Sequence, residues 1–257
     1  METDKDKFCR TLFELADSGK FITGIYNYCD RWCERCTLSH KCITYAHENE
    51  MRKACCNPQT NEIDDDKFWE QIRISLEVTF DLITEDAKKM GISLDEVHGN
   101  EEDTYEPNDV ENLALEYAHK MTLWIEEFEE SMDFLSLHPE INHLKNIPVN
   151  RITDAIEVVK WYYYFISSKI HRAYFDIVYR NSISDEDFDA VSDNIGSAKV
   201  TILAVDRSIE ALSVLYECSG DQEDQLLEFL SMLSRIKEQL LTDFPLAMAF
   251  KRPGFDD

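Results

Sequence analysis

Glycine and proline are scarce, with seven and six in 257 residues. So few breakers beside many Leu, Glu, Ala and Ile disfavour a turn-rich sheet protein and favour long helices. The shortage of glycine also excludes whole function classes: no P-loop, G-x-G-x-x-G or G-x-S-x-G occurs, and neither does His-Glu-x-x-His. No strand-like alternation is present, and nothing repeats at a period of 20–50 residues. No apolar run approaches the ~20 residues that span a bilayer. The opening METDKDKFCR has no apolar signal core. The expectation is a cytoplasmic chain with reduced thiols and no membrane contact.

Positive charge is short as well. The formal net charge is −26, from 26 Lys+Arg against 52 Asp+Glu. Residues 1–60 hold nine basic and nine acidic residues, so the whole excess lies in residues 61–257. A surface so negative repels phosphate backbones and anionic headgroups. Nucleic acid and membranes are therefore disfavoured as partners of the larger part. The acids act as a solvated, solubilising surface or as a docking face for a basic protein. In the neutral part Arg31, Arg35, Lys41, Arg52 and Lys53 stand among aromatics, which leaves nucleic-acid contact open there. Seven of eight cysteines lie between Cys9 and Cys56, and none follows until Cys218. Charge and cysteine usage thus change together near NPQTNEIDDD. This predicts a Cys-rich, charge-neutral module over 1–60 and an acidic helical bundle over 61–257.

Five long helices are expected after that break. The first covers 66–90 and stops at Gly91, whose missing Cβ suits a C′ position. An acidic connector follows. The second opens at Asn108, with Glu111 three residues on as in a capping box, and runs to 137. A loop spans His138 to Asn150. The third helix covers 151–180, the fourth runs from after Ser184 to 217, and the fifth covers 222–242. Apolar residues recur at helical spacing: Phe68, Ile72, Thr79, Ile83 and Met90 in the first helix, with Glu77 opposite; Leu113, Tyr117, Met121, Trp124 and Phe128 in the second; Leu226, Phe229, Leu233, Ile236 and Leu240 in the fifth. The third carries two stripes, one of Ile152, Ile156, Val159, Tyr163, Ile166 and Ile170, the other of Trp161, Tyr164, Phe175 and Tyr179. Two apolar faces predict that it is the central helix. The fold class is all-α: an antiparallel helical bundle of about five long helices with an N-terminal Cys-rich metal-binding module.

The stretch IYNYCDRWCERCTLSHKC places Cys29, Cys33, Cys36 and Cys42 in a C-x3-C-x2-C-x5-C pattern. Thiolates are polarisable anions, and four of them close a tetrahedral zinc site or hold an iron–sulfur cluster. The competing reading is a core helix, since Cys29, Cys33 and Cys36 share a face at i, i+4 and i+7. Geometry separates the two. On one unbroken helix Cys29 and Cys36 stand ~10 Å apart along the axis, whereas sulfurs on one metal lie within about 4 Å of each other. A metal site therefore requires the helix to break here. A single C-x2-C pair within fourteen residues is closer to a ferredoxin-type run than to the spaced pairs of structural zinc sites. Cys55, Cys56, His40 and His47 are substitute ligands. The triplet also resembles the C-x3-C-x2-C of radical S-adenosylmethionine enzymes. That likeness covers eight residues. It implies a β/α barrel and an open iron position, which a strandless chain and Cys42 oppose.

Glu116-x-x-His119, with Glu77, Glu157 and Asp206 on other helices, resembles the ligand set of ferritin-like di-metal oxidoreductases. At 100° per residue His119 and Glu77 point away from the apolar stripes of their helices, so solvent-facing acids are the expectation. Glu157, Tyr164 and His171, spaced by sevens on the second face of the third helix beside Trp161, are expected to form a buried hydrogen-bonded network or a partly exposed edge rather than a ligand pocket between helices. Three function classes remain: a metal-binding protein acting through protein interaction or electron transfer, a metal-free helical scaffold, and a di-metal oxidoreductase. No substrate is assignable.

Overall fold

The computed structural model describes residues 3–56, 60, 62–94, 105–137, 149–180, 188–218 and 222–256. The expected loop from His138, the helix start after Ser184 and most of the acidic connector lie outside them. The described residues form seven α-helices and no strand: α1 Asp4–Asp17, α2 Ile43–Cys55, α3 Asp65–Met90, α4 Asp109–Leu137, α5 Val149–Arg180, α6 Phe188–Cys218 and α7 Glu223–Asp243. The fold is all-α. No described helix is long and apolar enough to cross a membrane. Two compact units make up the chain. One comprises Met1–Asn27, Arg31–Thr104 and Pro253–Asp257, the other Tyr28–Asp30 and Tyr105–Arg252. The unit boundary at 104/105 is a different boundary from the composition break near residue 60.

The first unit holds α1, α2 and α3, packed pairwise. Thr3 caps α1: its hydroxyl accepts from the Asp6 amide, and the Asp6 carboxylate accepts from the Thr3 amide at 2.9 Å. The Asp64 carboxylate accepts from the Lys67 amide and starts α3. Gly91 ends it at φ +71°, where a side chain would be strained, while the Ile92 amide reaches back to the Ala87 carbonyl at 2.9 Å. The face of α3 differs from the expected one. Ile74 and Val78 are buried, whereas Phe68, Ile83 and Met90 are exposed. Packing on the short helices α1 and α2 selects the narrow Ile74/Val78 face, and Lys5 of α1 bonds Asp81 on that side at 2.5 Å.

In the second unit α4, α5, α6 and α7 are neighbours in a closed ring, α4–α5–α6–α7–α4. Contacts fix their directions. Glu111 meets His171 and Thr122 meets Tyr164, so α4 and α5 run antiparallel. Arg172 meets Asp193 and Tyr162 meets Arg207, so α5 and α6 do too. The core holds Tyr117, Met121 and Trp124 of α4, Ile152, Val159, Ile166 and Ile170 of α5, and Leu226, Phe229, Leu233, Ile236 and Leu240 of α7. The most enclosed helix is α6, not α5. Small residues at Gly196, Ala198, Ala204 and Ala211 let its neighbours close in, whereas Trp161 and Tyr164 leave the second face of α5 partly exposed.

Candidate functional site

The cysteine segment is not one helix. Between Asp17 and Ile43 the backbone forms only short 3₁₀ turns, at Ile25–Asn27, Cys33–Arg35 and Ser39–Lys41. The last two are built alike. Each is followed by a cysteine with extended backbone, Cys36 at ψ 120° and Cys42 at ψ 118°. The Cys36 amide donates to the Cys33 carbonyl at 3.2 Å, and the Cys42 amide to the Ser39 carbonyl at 3.1 Å. The Leu38 amide donates to Cys36 Sγ at 3.4 Å, a kind of contact that tunes thiolate ligands around metals. Cys42 then stands at the N-cap of α2.

Arg31 has φ +59°, in the left-handed region that non-glycine residues rarely adopt. Its neighbour Asp30 is held firmly by the second unit. The Asp30 carboxylate accepts from the Tyr162 hydroxyl at 2.7 Å and from the Arg207 guanidinium, and its carbonyl accepts from Trp161 Nε1 at 2.9 Å. On the other side of Cys29, the Tyr28 ring lies against Gly196 and meets Phe250 edge-on at 4.8 Å. Cys29 is thus placed by two anchored neighbours. Cys33, Cys36 and Cys42 belong to the first unit.

Cys29, Cys33, Cys36 and Cys42 are half-buried, and these four, Cys9, Cys55 and Cys56 are free thiols. Among the described residues no group of three or more His, Cys, Asp or Glu side chains is gathered tightly enough to hold a metal ion. The substitute ligands differ in their surroundings. Cys55 is buried and burial pushes its thiol up. Cys56 pairs with Ile63 in an isolated bridge. His47 meets Phe8 edge-on at 5.1 Å, and burial holds it below the ordinary histidine range against the weaker pull of Glu48. His40 is exposed.

The other residues singled out by the sequence are dispersed. Glu116 pairs with Lys120 at 2.7 Å, Glu77 with Arg73, and Asp206 with Lys237 at 2.5 Å, while His119 and Glu157 are exposed. The line Glu157, Tyr164, His171 runs along an exposed edge of α5, but His171 has a partner the sequence did not suggest. Glu111, only 3% exposed, meets His171 Nδ1 at 3.0 Å and accepts from the Asn108 amide and the Tyr105 hydroxyl. The capping-box pattern located Glu111 at the start of α4. Its second contact depends on the antiparallel pairing of α4 with α5, which no local pattern encodes. The same end of this unit has a cleft of ≈ 630 Å³ lined by Asp109, Tyr174, Arg235, Glu238 and Asp243 among others.

The fold and these contacts define an all-α protein with a turn-rich cysteine segment. No protein-family model, curated protein or solved structure matches the chain.

Proposed function

We propose that this chain is a metal-binding helical protein in which Cys29, Cys33, Cys36 and Cys42 hold zinc or an iron–sulfur cluster. The helices would then serve protein interaction or electron transfer. The observation that carries the reading is the break in the helix at the cysteines. Four sulfurs on one metal cannot sit on a continuous helix. Here two successive 3₁₀ turns each deliver a cysteine in extended backbone, and an amide is already directed at the Cys36 sulfur. Closing the site requires the sulfurs to come together on the metal, which binding energy can supply in a segment without regular helix. This reading goes with a cytoplasmic setting, where thiols stay reduced and free to bind metal. Its acid excess directs it toward a basic protein partner rather than nucleic acid or a membrane.

The test is elemental analysis and an absorption spectrum of protein purified without oxygen. Iron with sulfide and absorbance near roughly 400 nm assigns a cluster and electron transfer or sensing. One colourless zinc per chain assigns a structural clip. Cys36→Ser and Cys42→Ser should each lose the metal. A chain that takes up neither metal is a scaffold, and the reading fails.

A further inference from the structure

α3 is apolar on two opposite sides, and the described chain covers only one. Ile74 and Val78 face α1 and α2. At 100° per residue Trp69, Leu76, Phe80, Ile83 and Met90 lie within about 80° of each other on the opposite side. They are 67%, 66%, 64%, 52% and 74% exposed. Trp69, Leu76, Ile83 and Met90 repeat every seven residues, the spacing that winds one helix against another. An apolar stripe about 32 Å long on an exposed helix is costly in water unless something covers it.

We infer that α3 is a homodimer interface, and that a second copy of this chain packs its α3 antiparallel along this stripe. The stripe is a palindrome. Reversing the helix about the midpoint between Thr79 and Phe80 brings Trp69 of one copy onto Met90 of the other and Leu76 onto Ile83, with the two Phe80 rings at the crossing. A two-fold contact requires such self-complementarity, because the same patch serves on both copies. Charge agrees with the direction. α3 begins with Asp65 and Asp66 and ends with Lys88 and Lys89. Antiparallel pairing brings the Lys88/Lys89 end of each copy toward the Asp66/Glu70 end of the other, whereas parallel pairing would stack acid on acid. The size fits too. The five side chains of the stripe, each more than half exposed, offer roughly 600 Å² per copy at about 200 Å² per fully buried large side chain, the lower end of what a stable interface takes from each partner. The contact is independent of the cysteines, so it holds whether or not the metal reading does.

The experiment is light scattering coupled to size exclusion on the full chain at micromolar concentration, with and without chelator. The expected mass is twice the 30.1 kDa of the chain in both conditions. Leu76→Glu with Ile83→Glu should weaken association at least about a hundredfold, since each buried charge costs a central contact, while far-ultraviolet circular dichroism stays helical. Leu115→Glu, an exposed leucine on α4, serves as the control and should remain dimeric. Lys88→Glu should weaken the dimer, and Asp66→Lys with Glu70→Lys added to it should restore it. A wild-type chain that stays monomeric overturns the inference. So does a dimer that survives the Leu76/Ile83 pair of changes, and failure of the charge exchange to rescue overturns the antiparallel register.

Discussion

Asp30 accepts a hydrogen bond from the Tyr162 hydroxyl at 2.7 Å while the Arg207 guanidinium reaches the same carboxylate oxygen. One acid thereby joins residues 28–30 to both α5 and α6. Asp30→Ala leaves the buried Tyr162 hydroxyl and Arg207 without this acceptor. Bonds to charged groups of this kind contribute about 1.5–3 kcal/mol. The expected outcome in a urea titration is a loss of about 2–3 kcal/mol, with Asp30→Asn losing less because it keeps an acceptor. No change in either variant would show that the Asp30 contacts do not hold the segment.

Gly196 should resist alanine although it lies in a helix. In a solvated helix interior Gly→Ala gains about 1 kcal/mol. Here the new Cβ would stand 2.3 Å from the Tyr28 ring and 3.1 Å from Phe250. Overpacking costs about 1–3 kcal/mol, so the net expectation is a loss. In a Tyr28→Ala background only the milder contact with Phe250 remains, so Gly196→Ala should cost much less. Thermal melts of the four chains decide it. Identical effects of Gly196→Ala in both backgrounds would mean that Tyr28 is not what the glycine accommodates.

His47 makes the first unit acid-sensitive. Burial lowers its folded pKa below the ordinary 6.5, so the folded state binds the proton less tightly than the unfolded chain does. Its contribution to stability is fully present above that unfolded value and is lost as pH falls from 6.5 through the lower folded value. His47→Phe should flatten stability against pH in that window. Proton titration of the imidazole by NMR should give a midpoint below 6.5. A midpoint at or above 6.5 contradicts the burial.

The second unit should weaken in alkali. Burial, then hydrogen bonds to Asp30 and Asp243, raise the pKa values of Tyr162 and Tyr174 well above the ordinary 10. A raised pKa gives stability that is present below the unfolded value and lost as pH rises through the folded one. Stability should therefore decline above pH 10. Absorbance of tyrosinate should show these two phenols titrating later than the exposed ones, and Tyr162→Phe should remove one of the late steps.

Cys55 should stand apart from the cysteines of the turns. It is buried, and its thiol is pushed up by that burial, so little thiolate is available for attack. Iodoacetamide labelling followed by mass spectrometry should modify Cys55 later than Cys29, Cys33, Cys36 and Cys42. Cys55→Ala should leave metal content unchanged. Loss of metal in that variant would make Cys55 a ligand in place of one of the four.

How much was legible in advance differs by element. Asn108 with Glu111 gave the start of α4, and Gly91 gave the end of α3, because caps are made by side chains within four residues of the backbone groups they satisfy. The apolar stripes of α4 and α7 also met the core as read, since each of these helices has one dominant apolar face. α1 and α2 were not anticipated, although α1 segregates its apolar residues on one side as sharply as any of the long helices. The cysteine spacing stated a condition, a broken helix, and the turns at Cys33–Arg35 and Ser39–Lys41 meet it. The anchoring of Asp30 on Tyr162 and Arg207 could not be read, because those residues lie more than 130 positions along the chain.

The sequence by itself determined that this chain is helical, where most of its long helices begin and end, and where its cysteines and its acid excess are concentrated. These properties follow from propensity, capping and composition, all local. Only the tertiary structure decided which side of each helix is covered. α3 has apolar residues on opposite sides, so its periodicity is satisfied equally by either, and the choice of Ile74 and Val78 over Trp69, Leu76 and Ile83 came from the neighbours α1 and α2. The same is true of Glu111, which capped its own helix from sequence and reached His171 only because α5 folds back alongside.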